Sequence, residues 1–220
     1  RQRQMCIRDR AKNAQDGLAM MSTAENATND VTDMLQRIRE LAVQGANDTN
    51  SDKDRGYLQD EVDALLTEIN RVSTQTRYNN LILLDGQRSG TVQVGTEADQ
   101  TVSFDIKTID TDYLGLTWGL DADGDVDSTA EGAVTNGTGE NAGTINAFSA
   151  TVGKIDLSTA ESAATALTKI TTAIEQVATD RAGYGALQNR LEYTVSNLMN
   201  VSEFTQAARS RIEDADFAVE

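Results

Sequence analysis

Val31, Leu35, Ile38, Ala42 and Gly45 follow one another at intervals of four, three, four and three residues. That rhythm keeps one narrow apolar row on an α-helix and is the seam pattern of packed helices. "NDTNSDKD" then breaks the row with turn-forming residues. Beyond it, Leu58, Val62, Leu65, Ile69 and Val72 repeat the same rhythm. Ser51 followed by Asp54 reads as the capping signal of the second helix. Two seams with a short break between them predict an antiparallel helix pair. Nothing interrupts either helix by ring clash, because the chain of 220 residues has no proline. Its apolar content of 39% is low for a compact globule, which suits narrow buried stripes better than a broad core.

A third helix is expected from "DLSTAESAATALTKI" onward, with Ser158 and Glu161 as its capping box. Its stripe runs Ala163, Leu167, Ile170, Ile174, Val177, shifts phase around "DRAGYG", and resumes at Leu187, Leu191, Thr194, Leu198 and Val201. Continued to Ala215, such a helix would be roughly 90 Å long and would need partner helices along its length. The two N-terminal seams are the available partners. The expected fold is therefore mainly α with a small β region: a long antiparallel bundle or coiled coil formed by both chain ends, plus β-hairpins and a short variable insertion. The small β region is read from Asp85-Gly86 followed by alternation at Val92/Val94 and Val102/Phe104/Ile106.

The chemistry of an enzyme is hard to build from these residues. The absence of histidine removes imidazole acid/base catalysis and HExxH zinc sites. A single cysteine, Cys6, removes thiolate zinc sites and internal disulfides. "DADGDVD" from Asp121 to Asp127 lacks the EF-hand glycine and glutamate, since Val126 and Gly132 occupy those places, and reads as a solvated acidic turn. "GTGENAG" lacks the strand and spacing of a phosphate loop. No catalytic residue, cofactor or metal is expected. The net charge of −16 disfavours nucleic acid and anionic membranes as partners. No apolar run approaches the roughly 20 residues of a membrane span.

"LQRIRELAVQGANDTNSDKDRGYLQDEVDALLTEINRVSTQTRYNNLILLDG" resembles the N-terminal core of bacterial flagellins, and "AKNAQDGLAMMSTAENATNDV" resembles the helix before it. "TVQVGTEADQTVSFDI" with "LGLTW" is similar to the family's β-hairpin region, and "ARSRIEDADFA" to its C-terminal core helix. The resemblance covers about residues 11–118 and 155–220. It implies N-terminal core helices over 11–77, a β-hairpin region over 78–118, a variable loop or insertion over 119–156 and a C-terminal core helix over 157–220. It also implies a secreted, extracellular subunit of the flagellar filament, with other copies of itself and the flagellar export and cap proteins as partners. A hook–filament junction protein is the alternative. Family members continue at both ends into a coiled coil that lines the filament, so this stretch by itself is not expected to polymerise.

The opening "RQRQMCIRD" has no counterpart in that resemblance. One back-translation of it resembles a transposon-end sequencing adapter. Residues 1–10 are thus expected to be a non-native or disordered lead, with residues 1–9 extending the first helix at most and making no specific packing contacts.

The resemblance further implies that "LQRIRELAVQ" packs subunit against subunit and is bound by Toll-like receptor 5 of vertebrates. The residues matching that surface are Arg37, Leu41 and Glu61, with Gln36 and Gln44 on the same flank. Periodicity alone favours a plainer assignment. Leu41 lies about 70° from the centre of its stripe, at the edge of the core. Arg37 and Glu61 would then be solvated helix charges; the resemblance instead implies an exposed packing and receptor surface that includes Leu41, and that is the expectation.

Overall fold

The computed structural model describes residues 2–95, 100–116 and 155–217, with side chains described for 5–95, 100–116 and 155–211. The acidic turn, the "GTGENAG" stretch and almost all of the expected insertion lie outside the described residues.

Three helices carry the fold: α1 (Gln2–Gly45), α2 (Asp52–Gln75) and α3 (Ala160–Phe217). Among the described residues, four short strands lie between α2 and α3: β1 (Arg77–Tyr78), β2 (Leu81–Ile82), β3 (Arg88–Gln93) and β4 (Thr101–Ile106). The chain divides into two units. One comprises residues 26–88 and 106–181, the other 1–25, 89–105 and 182–220.

Two buried rows along α1 repeat every seven residues, with Ala27 and Leu41 buried beside them. Ile7, Ala14, Met21, Thr28, Leu35 and Ala42 form one buried row, and Gly17, Ala24, Val31, Ile38 and Gly45 form the other. These are the a and d rows of a heptad pattern. The helix therefore starts at Gln2 rather than near Ala11, and Ile7 is only 6% exposed. The expectation of a lead without packing contacts does not hold at Ile7. It falls one heptad before Ala14, so extending the helix carries it onto the seam.

In α2 the buried residues are Arg55, Val62, Leu66, Ile69 and Ser73, while Leu65 and Val72 are half-buried. The seam lies one residue beyond the expected one at two of its five positions. At Ser73 the neighbour is the chain after β2, where the Ser73 hydroxyl donates to the Leu84 carbonyl at 2.8 Å. Along α3 the buried residues are Ala163, Ala166, Ile170, Ala173 and Val177, then Tyr184, Leu191 and Leu198. Leu167 and Ile174 are half-buried flanks. The seven-residue step runs through "DRAGYG" without a change of phase, because Tyr184 takes the seam position there.

Local signals fix the helix ends. Ser51 and Asp54 form the capping box of α2. At α3 the cap is Thr159 rather than Ser158. Thr159 Oγ1 accepts from the Ser162 amide at 3.0 Å, and Ser162 Oγ accepts from the Thr159 amide at 3.1 Å. Ser158 is withdrawn from capping because Asp156 accepts both its amide and its hydroxyl, at 2.8 and 3.0 Å. The C-terminus of α1 is closed by Arg55, which is 8% exposed and donates to the carbonyls of Gly45 and Asn47 at 3.0 and 3.1 Å. A cation there also complements the helix dipole.

β1 and β2 pair antiparallel, Arg77 opposite Ile82 and Tyr78 opposite Leu81. The two turn residues, Asn79 and Asn80, have φ of 48° and 64°. A two-residue hairpin needs that left-handed backbone, and asparagine tolerates it better than most residues. The turn thus falls at Asn79-Asn80, not at Asp85-Gly86. β3 and β4 form a second two-stranded sheet. Gly17 lets this sheet meet α1: a Cβ on Gly17 would sit 2.9 Å from Val92 Cγ2 and 3.5 Å from Leu191 Cδ1.

Candidate functional site

The flank of α1 and α2 that carries the candidate residues is built by two adjacent heptad faces. With Ile38 and Ala42 facing inward on α1, positions 36, 37, 40 and 44 fall outward. Gln36, Arg37, Glu40 and Gln44 are all exposed. With Val62 inward on α2, Glu61 falls on the outer edge facing α1, and it too is exposed.

The structure brings Arg37 and Glu61 together. The Arg37 guanidinium donates from Nε to Glu61 Oε1 at 2.9 Å and its Nη2 lies 2.8 Å from the same oxygen. Its Nη1 donates to Glu40 Oε2 at 3.1 Å, one turn along α1. The side chains remain open to solvent, at 50% for Arg37, 45% for Glu61 and 70% for Glu40. The hydrogen bond to Glu61, and then that to Glu40, raise the Arg37 pKa above its ordinary value. Arginine is a cation at any ordinary pH, and the contacts to Glu61 and Glu40 direct the Arg37 guanidinium along this flank. Exposed pairs of this kind add little to stability. What they offer is a rigid donor fork with unsatisfied capacity at the surface.

Leu41 is not part of that exposed flank. It is 2% exposed, as buried as the seam residues on either side. At this end α1 is flanked on more than one side: atoms of Leu157 and Ala163 lie within 3.8 Å of where a Gly45 Cβ would be. The buried face consequently widens to take in Leu41 beside Ile38 and Ala42. The core-edge assignment is the one observed, and the expected exposure of Leu41 is corrected. Gln36 and Gln44 lie on the outer surface as expected.

Glu40 and Arg55 are the residues that sequence reasoning missed. Glu40 stands three residues from Arg37, a spacing at which helical side chains meet, so the signal was present. Arg55 carried no such signal, because a buried arginine is recognised only by the carbonyls it caps. Among the described residues, three large apolar side chains also stand exposed in this unit, Val43 at 57%, Tyr57 at 60% and Leu81 at 46%. Among the described residues no group of three or more His, Cys, Asp or Glu is arranged to hold a metal ion. None of the described helices is long and apolar enough to cross a membrane.

Heptad seams on long helices, with small antiparallel strand pairs between them, define a mainly helical protein. Comparison with known proteins gives the family. A profile of the "bacterial flagellin N-terminal helical region" matches residues 2–89, and one of the C-terminal helical region matches residues 167–220. The flagellin of Bacillus subtilis is 37% identical over 227 aligned residues, covering 96% of this chain and 69% of that protein. The flagellin of Halalkalibacterium halodurans is 33% identical, covering 96% of this chain and 65% of its own length. Among solved structures, Bacillus cereus flagellin matches with a TM-score of 0.61 at 25% identity, over 85% of this chain and 88% of that one. A putative flagellar hook-associated protein from Vibrio parahaemolyticus shares the fold, with a TM-score of 0.67 at 16% identity over 96% and 92% of the two chains. The chain belongs to the bacterial flagellin family, which is structural and not enzymatic. It spans about two thirds of the length of the first two relatives. The N-terminal match begins inside the arginine-rich lead that the sequence reading set apart from the family.

Proposed function

We propose that the chain is the bundle-forming core of a subunit of the extracellular bacterial flagellar filament. The observation that carries this reading is the pairing of flagellin-like sequence at both ends with one continuous heptad seam on each long helix. Copies of itself are its main partners, and the flagellar export and cap proteins handle it before assembly. Immunogold labelling of the encoding bacterium with an antibody to this chain tests the reading. Label along the length of the flagella is expected. Label confined to the junction with the hook would favour the alternative of a hook–filament junction protein, which rests on the shared fold. Label elsewhere on the cell would overturn both.

The exposed flank of α1 and α2 is the contact surface in this reading. Arg37 and Glu61, with Gln36 and Gln44 beside them, serve subunit packing and present the face that Toll-like receptor 5 binds. Leu41 contributes from beneath by holding α1 in place. The Arg37 fork and its open surroundings support this assignment.

A further inference from the structure

We propose that Gln59 is a backbone clamp on α2, which closes the chain into a stem where it returns to the bundle. Residues 155–157 belong to no helix or strand, and Ile155 and Leu157 are fully buried. Buried amides and carbonyls there need partners, or they cost the free energy of an unmade hydrogen bond. Gln59 supplies both. Its Nε2 donates to the Ile155 carbonyl at 3.1 Å, and its Oε1 accepts from the Leu157 amide at 2.8 Å. The same Nε2 donates to Asp63 Oδ1 at 2.8 Å, which fixes the plane of the amide. A glutamine amide has the donor and acceptor of a peptide group, so one side chain pairs with this segment as a peptide group would.

The outgoing segment is held in the same manner. Asn70 Oδ1 accepts from the amide and the hydroxyl of Thr111, at 2.9 and 3.0 Å. Asn70 lies eleven residues after Gln59, about three helical turns, so both clamps share one face of α2. The two segments then meet, with the Ile155 amide donating to the Leu116 carbonyl at 3.3 Å. Holding the ends of a long excursion together costs closure entropy, and contacts in the stem must offset it. The clamp places that task on α2.

Amide hydrogen exchange measured by NMR tests this. Ile155 is informative because its amide is bonded to Leu116 and not to Gln59. In Gln59→Leu, exchange at both Leu157 and Ile155 is expected to accelerate about tenfold or more, with Val62 and Ile69 in α2 unchanged as the control for folding. Replacing residues 117–154 by a short Gly/Ser linker should leave Ile155 and Leu157 protected. Gln59→Glu keeps the acceptor for Leu157 but turns a carboxylate toward the Ile155 carbonyl. It should free Ile155 while sparing Leu157, and it carries the test if Gln59→Leu does not fold. Ile155 staying protected in the Gln59 variants would overturn the proposal, as would loss of protection on replacing residues 117–154.

Discussion

Leu41→Ala separates a core role from a direct contact role. The side chain is 2% exposed, so nearly all of it is removed from water in the free protein. Truncation to alanine deletes three carbons, about 2.4 kcal/mol at roughly 0.8 kcal/mol per buried carbon group. The cavity left between α1 and its neighbours raises the cost, and buried leucines commonly lose about 2–5 kcal/mol. For a chain of this size each kcal/mol lowers the melting temperature by about 2–4 °C, so a loss of about 3 kcal/mol lowers it by about 6–12 °C. Far-UV circular dichroism through the thermal transition measures this directly. Receptor binding measured well below the transition should change little, since the outer flank keeps its residues. Unchanged melting together with lost binding would refute the core assignment.

Three further outcomes follow from the packing and the caps. Gly17→Ala gains up to about 1 kcal/mol of helix propensity. It also sets a Cβ 2.9 Å from Val92 Cγ2, and overpacking of that kind costs about 1–3 kcal/mol; net destabilisation is expected by thermal melting, with partial rescue by Val92→Ala. Deleting residues 1–9 removes the burial of Ile7 and should cost about 1.5–3 kcal/mol in urea unfolding, whereas no change would set the lead outside the fold. The hydrogen bonds from Ser51 lower the Asp54 pKa, and Arg71 lowers that of Glu68. Each carboxylate thus adds stability above the ordinary carboxylate range that is lost as pH falls through its depressed folded value. Ser51→Ala should cost about 0.5–2 kcal/mol near neutral pH and flatten the acid limb of a plot of urea midpoint against pH.

The helices, their antiparallel pairing and the Ser51 cap could be read from residue spacing alone. The buried row was harder to choose, because a four-three rhythm can be traced along either of two adjacent rows. In α3 the larger Leu167 and Ile174 drew the expected seam, yet Ala166 and Ala173 occupy it. Small side chains sit where neighbouring elements approach closely, so size is a poor guide to burial there. The apparent phase shift at "DRAGYG" came from not counting Tyr184 as a seam residue. Leu41 was misplaced for a related reason: periodicity describes one packing face, and this end of α1 has more than one neighbour. The Arg37–Glu61 pair spans two helices, and only residue-by-residue likeness to a family brought it forward. The clamps at Gln59 and Asn70 join residues far apart in the chain and left no local pattern to read.

The central functional claim is that the outer flank of α1 and α2 is a contact surface. The most direct measurement is binding of the Toll-like receptor 5 ectodomain to Arg37→Ala, Glu61→Ala and the double variant, each checked by thermal melting. Arginine anchors at interfaces often contribute enough that truncation weakens binding by about tenfold. Such a loss is expected for Arg37→Ala, with a smaller one for Glu61→Ala, a non-additive double variant and unchanged melting in all three. Wild-type affinity in all three would contradict the account and leave the Arg37–Glu61 pair as a solvated ion pair on the bundle surface.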